Sequence, residues 1–345
     1  SSVSGQEEGV REYLRLRLER GGIAASVDSV GNLLARIPGD PGAGEPLLLN
    51  AHMDRVPPGL AHTPVLRDGI LCGDGTTNLG ADDSAGIAVI LHAVEELRAR
   101  GLPHPPLLLL FTVGEEVGLT GAKAFDPAPW GAREGLIFDN AGEAGAAVTR
   151  AATYIAFDVV LHGSGGHPGK RLDGTASAIE MFHRAQYPAG SLDGDTTRIS
   201  IGRIEGGSAR NAVPAELRVQ GEARTLLEGD ERAALLARIE RAFVAAAEGL
   251  GGSAEVAFDP HCDSYAVAPD EPLLRAWEAA CTARGLPFRT LTTFIGSDAS
   301  ALRKHTRAIT ISTGAMDEHT AAEWIALDPL AELTETAIAL LSTMQ

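Results

Sequence analysis

Leu47-Leu48-Leu49-Asn50-Ala51-His52-Met53-Asp54 is an apolar run that ends on an imidazole and a carboxylate. Three more segments before residue 140 place acidic side chains in a similar way: Gly80-Ala81-Asp82-Asp83-Ser84-Ala85-Gly86, Leu110-Phe111-Thr112-Val113-Gly114-Glu115-Glu116 and Leu136-Ile137-Phe138-Asp139. In an α/β protein, side chains at the carboxyl ends of strands converge on one crevice, so residues far apart in sequence meet there. The pattern therefore points to an α/β fold with a metal centre.

Working outward, His52 and Asp54 share a face if the strand persists, because strand side chains alternate. That spacing suits a metal-ligating imidazole and a carboxylate that orients the site behind it. Taken alone, the pair serves a turn or a helix N-cap equally well. The loop Gly73-Asp74-Gly75-Thr76-Thr77-Asn78-Leu79-Gly80 leads into a helix over 84–97, whose apolar stripe is Ile87, Ile90, Leu91, Val94 and Leu97. One of Asp82 and Asp83 is expected to cap that helix. The glycines do not make a phosphate loop, since no Gly-Lys-Ser/Thr follows them.

Residues 106–113 read as a central strand buried on both faces, ending at Glu115-Glu116. Two adjacent carboxylates are ordinarily a solvated turn. At the end of a buried strand they can divide hydrolytic work, one binding a cation while the other accepts a proton from water. A short strand over 135–138 delivers Asp139 to the same edge.

Upstream, Val10, Tyr13, Leu14 and Leu18 predict an amphipathic helix, and 24–27, 33–37 and 47–51 read as strands. Beyond about residue 150 the pattern changes to strand 153–161, helix 176–185, strands 196–204 and 213–226, helix 230–248 and strand 254–258. That β-α-β-β-α-β order is ferredoxin-like and reads as an insertion. The first pattern then resumes with helix 272–283, a strand over 288–291, the turn Gly296-Ser297-Asp298-Ala299, strand 308–312 and helix 329–341. Between the last two lies Met316-Asp317-Glu318-His319-Thr320, so His319 completes a possible ligand set. The expected division is a catalytic domain over 1–150 and 263–345, interrupted by a second domain over 151–262.

A chain of 345 residues exceeds one ordinary core. Its formal charge of −17 argues against nucleic acid or an anionic membrane as partner. Cys72, Cys262 and Cys281 lack paired spacing, which disfavours a disulfide framework or a zinc finger and points to a reducing cytoplasm. The first residues show no basic-then-apolar pattern, and no apolar run approaches the roughly 20 residues that span a bilayer. Two divalent cations would be nearly neutralised by Asp82, Glu116, Asp139 and a bridging hydroxide, as a partly buried site requires. Mixed imidazole and carboxylate donors suit Zn²⁺, with Co²⁺ or Mn²⁺ as substitutes.

These residues resemble a known family, the co-catalytic di-zinc metallopeptidases and aminoacylases that include peptidase T and glutamate carboxypeptidase. The likeness rests on His52-x-Asp54, Gly80-Ala81-Asp82-Asp83-x-Ala85-Gly86, Glu115-Glu116, Asp139, His319-Thr320 and Gly206-Gly207-x-x-x-Asn211-x-Val213-Pro214, all in order. It runs over nearly the whole chain and is greatest to the peptidase T-like branch, notably in the stretch 111–119, Phe-Thr-Val-Gly-Glu-Glu-Val-Gly-Leu.

The resemblance implies a mixed-sheet, three-layer zinc-exopeptidase domain with an inserted ferredoxin-like (βαββαβ) lid and dimerisation domain. It implies that Asp82 bridges two Zn²⁺, that His52 and Asp139 complete one site, and that Glu116 and His319 complete the other. Glu115 is then the general base, Asp54 supports the site, and the Asp82–Asp83 peptide is cis. His167 of Gly165-Gly166-His167-Pro168-Gly169 resembles a histidine that reaches a partner subunit's site and steadies the oxyanion. Asn211 and Arg224 resemble residues that hold a substrate carboxylate, and Gly296 resembles a backbone contact beside the site.

The function implied is a cytoplasmic, homodimeric aminotripeptidase that hydrolyses short peptides through a di-zinc-activated water. An N-acyl amino acid deacylase or a carboxypeptidase would use the same centre, and a catalytically silent metal-binding protein could keep the fold. Two departures stand out: Asn140 follows Asp139 where relatives carry Ser or Gly, and Ser84 stands where they commonly carry Lys. The remaining histidines, at 62, 92, 104, 162, 183, 261 and 305, match no motif and are expected at the surface or in packing roles.

Overall fold

The strands Leu47–His52 and Leu107–Thr112 are buried along their whole length, as expected of strands at the centre of a largely parallel sheet. The computed structural model describes residues 2–170, 174–192 and 194–344. The chain divides into two units, Ser1–Arg150 with Tyr265–Gln345, and Ala151–Ser264.

In the first unit a mixed sheet is built around four parallel strands, in the order Leu107–Thr112, Leu47–His52, Glu134–Phe138, Arg307–Ile311. Ala25–Val27 and Leu33–Ile37 extend one edge antiparallel, and Ala147–Ala151 extends the other. Chain order explains where the site forms. From Leu47–His52 the chain crosses to Leu107–Thr112 on one side, then to Glu134–Phe138 on the other. The carboxyl end of Leu47–His52 is therefore a topological switch point, where open α/β sheets leave a crevice. Register sets His52 opposite Thr112 and Ile311 opposite Phe138, so His52, the Glu115-Glu116 turn and Asp139 leave the sheet at one edge.

Helix Ala81–Arg100 packs on Leu47–His52 and Glu134–Phe138, with Leu327–Thr343 against it and Pro272–Arg284 against that in turn. Its regular part begins only after Asp83, since Asp82 and Asp83 have non-helical backbone angles. The peptide between them is cis, as the resemblance implied. Asp83 is the capping residue: its Oδ1 accepts the Gly86 N–H at 3.0 Å. Gly86 is required by close approach. A methyl group there would lie 2.1 Å from the Phe138 carbonyl oxygen and 2.5 Å from Asp83 Oδ1, so the helix could not start where it does.

A small sheet of Ala315–Met316, Trp324–Ala326, Ile70–Cys72 and Val65–Arg67 was not anticipated from the sequence. The strand expected over 288–291 lies at Thr290–Thr293, paired to Ala147–Ala151. No helix among the described residues is long and apolar enough to cross a membrane.

The second unit is an antiparallel sheet in the order Gly190–Leu192, Thr197–Gly206, Glu216–Thr225, Thr153–His162, Ser253–Cys262. Without the short first strand, this is the ferredoxin-like order. Helices Ala178–Arg184 and Gly229–Glu248 pack on one face, where Ile239 and Phe243 of the second helix share a core with Phe157, Val159, Leu161 and Val219 of the sheet. The unit runs to Ser264, whose backbone N–H donates to Thr153 Oγ1 at 3.0 Å.

Candidate metal centre

Asp82 stands between two imidazoles. Its Oδ1 lies 3.1 Å from His52 Nε2 and its Oδ2 3.1 Å from His319 Nε2. On one side Asp139 Oδ1 lies 3.7 Å from His52 Nε2, and on the other Glu116 Oε1 lies 3.0 Å from His319 Nε2. One carboxylate thus has an oxygen in each of two donor groups, His52 with Asp139 and His319 with Glu116.

Two features show that these donors suit cations. First, Glu116 Oε1 and Asp139 Oδ2 are buried and make no hydrogen bond among the described residues. Glu116 Oε1 is close to His319 Nε2, but the pair does not meet hydrogen-bond geometry. Buried polar atoms are rarely left so, and an unplaced ion is one of the few explanations. Second, the donors are imidazole nitrogens and carboxylate oxygens, with ligand atoms of His52, Asp82 and Glu116 all within 4.8 Å of one another. His52, Asp83 and Asp139 meet the same distance. The Asp83 carboxylate is already engaged, however, taking the His52 N–H at 3.1 Å on Oδ2 and the Gly86 N–H at 3.0 Å on Oδ1. The Asp82 oxygens face the two imidazoles instead of backbone N–H groups.

Electrostatics agree. Burial opposes protonation of His52, but the carboxylates of Asp139, Asp54 and Asp82 outweigh it and push its pKa well above the ordinary histidine value. The hydrogen bond to Asp82 and the adjacent Glu116 carboxylate push His319 up to about 10. Burial raises Glu116 and Asp139 above the usual carboxylate range, whereas the two imidazoles overcome burial to hold Asp82 below it. So much carboxylate charge around two imidazoles is what bound cations discharge.

Asp54 acts differently from a simple histidine partner. His52 Nδ1 meets the Asp54 backbone carbonyl at 2.8 Å, while Oδ1 of that residue is 3.4 Å away. The Asp54 carboxylate instead accepts the Glu115 N–H at 2.9 Å and the Glu116 N–H at 3.2 Å, and Ser4 Oγ donates to it at 2.7 Å. Buried Glu7 takes the preceding Gly114 N–H at 3.2 Å. Asp54 and Glu7 therefore fix the backbone of the Gly114-Glu115-Glu116 turn. Glu115 is half-buried, and desolvation together with Asp139, Asp298 and Glu116 raises its carboxyl well above the usual range.

Sequence reasoning did not single out Ser4, Glu7, Asp298 or Glu323. Buried Asp298 accepts the Thr112 hydroxyl at the level of His52, and burial pushes its carboxyl up to about 7. Its place just after Gly296 in the quoted turn was the available signal. Gly296 itself is half-buried. Asn140 binds the Ser312 hydroxyl at 2.7 Å, tying the Asp139 turn to the neighbouring strand.

The remaining sequence-derived residues lie in the second unit. His167 and Asn211 are exposed, in loops joined where the Val213 N–H donates to the Gly166 carbonyl at 2.8 Å. Arg224 is half-buried on Glu216–Thr225, its guanidinium 4.6 Å from the Tyr154 ring centroid and its Nε 3.0 Å from Glu222 Oε1.

Comparison with known proteins places this arrangement. Residues 48–343 match Peptidase family M20/M25/M40. Uncharacterized protein YqjE of Bacillus subtilis (strain 168) is 31% identical over 314 residues, 90% of this chain and 84% of that protein. Among solved structures, aminopeptidase PepT from Bacillus cereus ATCC 10987 superposes with a TM-score of 0.92 at 29% identity, covering 99% of this chain and 94% of that one. A tripeptidase from Staphylococcus aureus subsp. aureus Mu50 superposes with a TM-score of 0.95 at 26% identity, covering 100% and 94%. Because the family match spans His52, Asp82, Glu116, Asp139 and His319 and most of the chain, the chain belongs to peptidase family M20/M25/M40 and is a metallo-hydrolase of the peptidase class.

Proposed function

We propose that the chain is an aminotripeptidase, an exopeptidase acting on short peptides, with two Zn²⁺ held by His52, Asp82, Glu116, Asp139 and His319. Co²⁺ or Mn²⁺ would substitute. The observation that carries this reading is the Asp82 carboxylate, divided between His52 and His319 at 3.1 Å each. Likeness to the PepT aminopeptidase and the tripeptidase supports the substrate class. When bound, such cations polarise a scissile carbonyl and lower the pKa of water.

The chain's own residues do the rest. Glu115 accepts the proton of the attacking water and passes it to the leaving amine. Its raised pKa favours both transfers, since a base poised nearer neutrality gains and releases protons more readily. Asp54 keeps the base aimed by holding its backbone N–H. His167 steadies the oxyanion, Asn211 and Arg224 hold the substrate carboxylate, and Gly296 offers a backbone contact. Residues 151–262 serve as lid and homodimer contact, and the enzyme works in the cytoplasm.

The test is amino-acid release from a free tripeptide, its N-acetylated form and a dipeptide. Cleavage of the free tripeptide, with the blocked form and the dipeptide spared, is expected. Preference for the blocked substrate would replace this reading with a deacylase or carboxypeptidase, and no cleavage of any would leave a silent metal-binding protein.

A further inference from the structure

We infer that Glu323 is a positioning residue that sets the bridging carboxylate of Asp82, an inference that rests on the two-cation reading above. Glu323 is 1% exposed and lies four residues beyond His319. Its Oε2 accepts the Gly80 N–H at 2.7 Å and its Oε1 the Asp82 N–H at 2.9 Å. The carboxylate thus grips the chain on both sides of Ala81. No regular ladder would hold this backbone otherwise: Gly80 has φ +75° and Asp82 is non-helical. Charge-assisted bonds are the strong, directional kind.

Asp82 reaches both imidazoles from that backbone, so the Glu323 grip fixes both 3.1 Å separations at once. The same segment carries one of those imidazoles. The Glu323 N–H donates to the Thr320 carbonyl at 3.3 Å, Thr320 Oγ1 donates to the Asp317 carbonyl at 2.7 Å, and Trp324 Nε1 donates to Asp317 Oδ2 at 3.2 Å. These bonds brace a turn in which Asp317 and His319 take positive φ, at 55° and 64°, a conformation uncommon for residues with side chains. One short stretch therefore supplies a ligand and locks the bridging ligand in register with it. Buried Arg55 provides the opposing charge and donates to the Leu79 carbonyl at 3.3 Å, steadying the residue just before the grip.

Two variants separate reach from charge. Glu323→Gln keeps the length and drops the charge, while Glu323→Asp keeps the charge beside Arg55 but is too short to span both N–H groups. Each is stripped with chelator and titrated with Co²⁺, following visible absorption, with Tm and tripeptide kinetics measured on the same samples. Both variants are expected to lose about 10–100-fold in Co²⁺ affinity, the usual cost of removing a residue that orients a ligand. Their absorption bands should shift, and kcat should fall while KM for the tripeptide changes little. Parental affinity and spectrum in both variants would overturn the inference and leave the two-cation reading intact, as would a lower Tm with unchanged Co²⁺ binding. Parent protein that takes up no Co²⁺ would overturn both.

Discussion

Glu115→Gln is expected to reduce tripeptide turnover by about 10²–10⁴-fold, the usual contribution of a positioned general base, while metal content stays at the parental level. The substitution is nearly isosteric, and the Asp54 carboxylate still holds the residue 115 N–H, because that bond involves only backbone at this position. Glu115 is also outside both donor groups, so the cations lose no ligand. What disappears is the proton acceptor. Kinetics paired with elemental analysis of the same sample checks this. Full turnover in the variant would remove Glu115 from the mechanism, and a loss of metal would make it a ligand instead.

Asp82→Asn is expected to act on the cations themselves. The wild-type side chain offers one oxygen to the His52 side and one to the His319 side. An amide offers only one oxygen, so its NH₂ must face one of the two groups. It also removes one of three carboxylate charges, and charge left unbalanced in a partly buried site costs several kcal/mol. Metal content should fall to one ion or fewer per chain, with turnover falling to background. Elemental analysis after desalting reads the first and tripeptide cleavage the second. An Asp82→Asn protein that keeps its full metal content and activity would show that Asp82 does not bridge.

Much of this site was legible because the candidate ligands obey a simple rule. His52 ends a buried apolar strand, Glu116 and Asp139 follow two others, and parallel strands deliver their carboxyl ends to one edge. The β-α-β-β-α-β order was visible for the same reason, since long alternating strands and a helix of the length of Gly229–Glu248 carry clear periodicity. Other features depended on tertiary contacts. Asp82 and Asp83 are identical neighbours, and only the backbone decides that one caps the helix while the other faces the imidazoles. Glu7 and Glu323 look like surface acids, because their partners are backbone N–H groups about 107 and 240 residues away. The strands Val65–Arg67, Ile70–Cys72 and Trp324–Ala326 are three residues each, too short to show a period.

The role of Asp54 was partly legible. Its position two residues after His52 suggested a carboxylate that helps orient the site or its catalytic group, and that carboxylate holds the Glu115-Glu116 backbone. The hydrogen bond to His52 Nδ1 comes from its carbonyl, which sequence spacing does not reveal. Asp54 thus ties His52 to the Glu115-Glu116 turn, so the His-x-Asp spacing reaches both parts of the candidate site.

The measurement that tests the account most directly is the return of tripeptide cleavage as Zn²⁺ is titrated into chelator-stripped protein. The account predicts negligible cleavage without metal and a rise that saturates at about two equivalents per chain, as two-metal sites require. Full turnover by metal-free protein would contradict it.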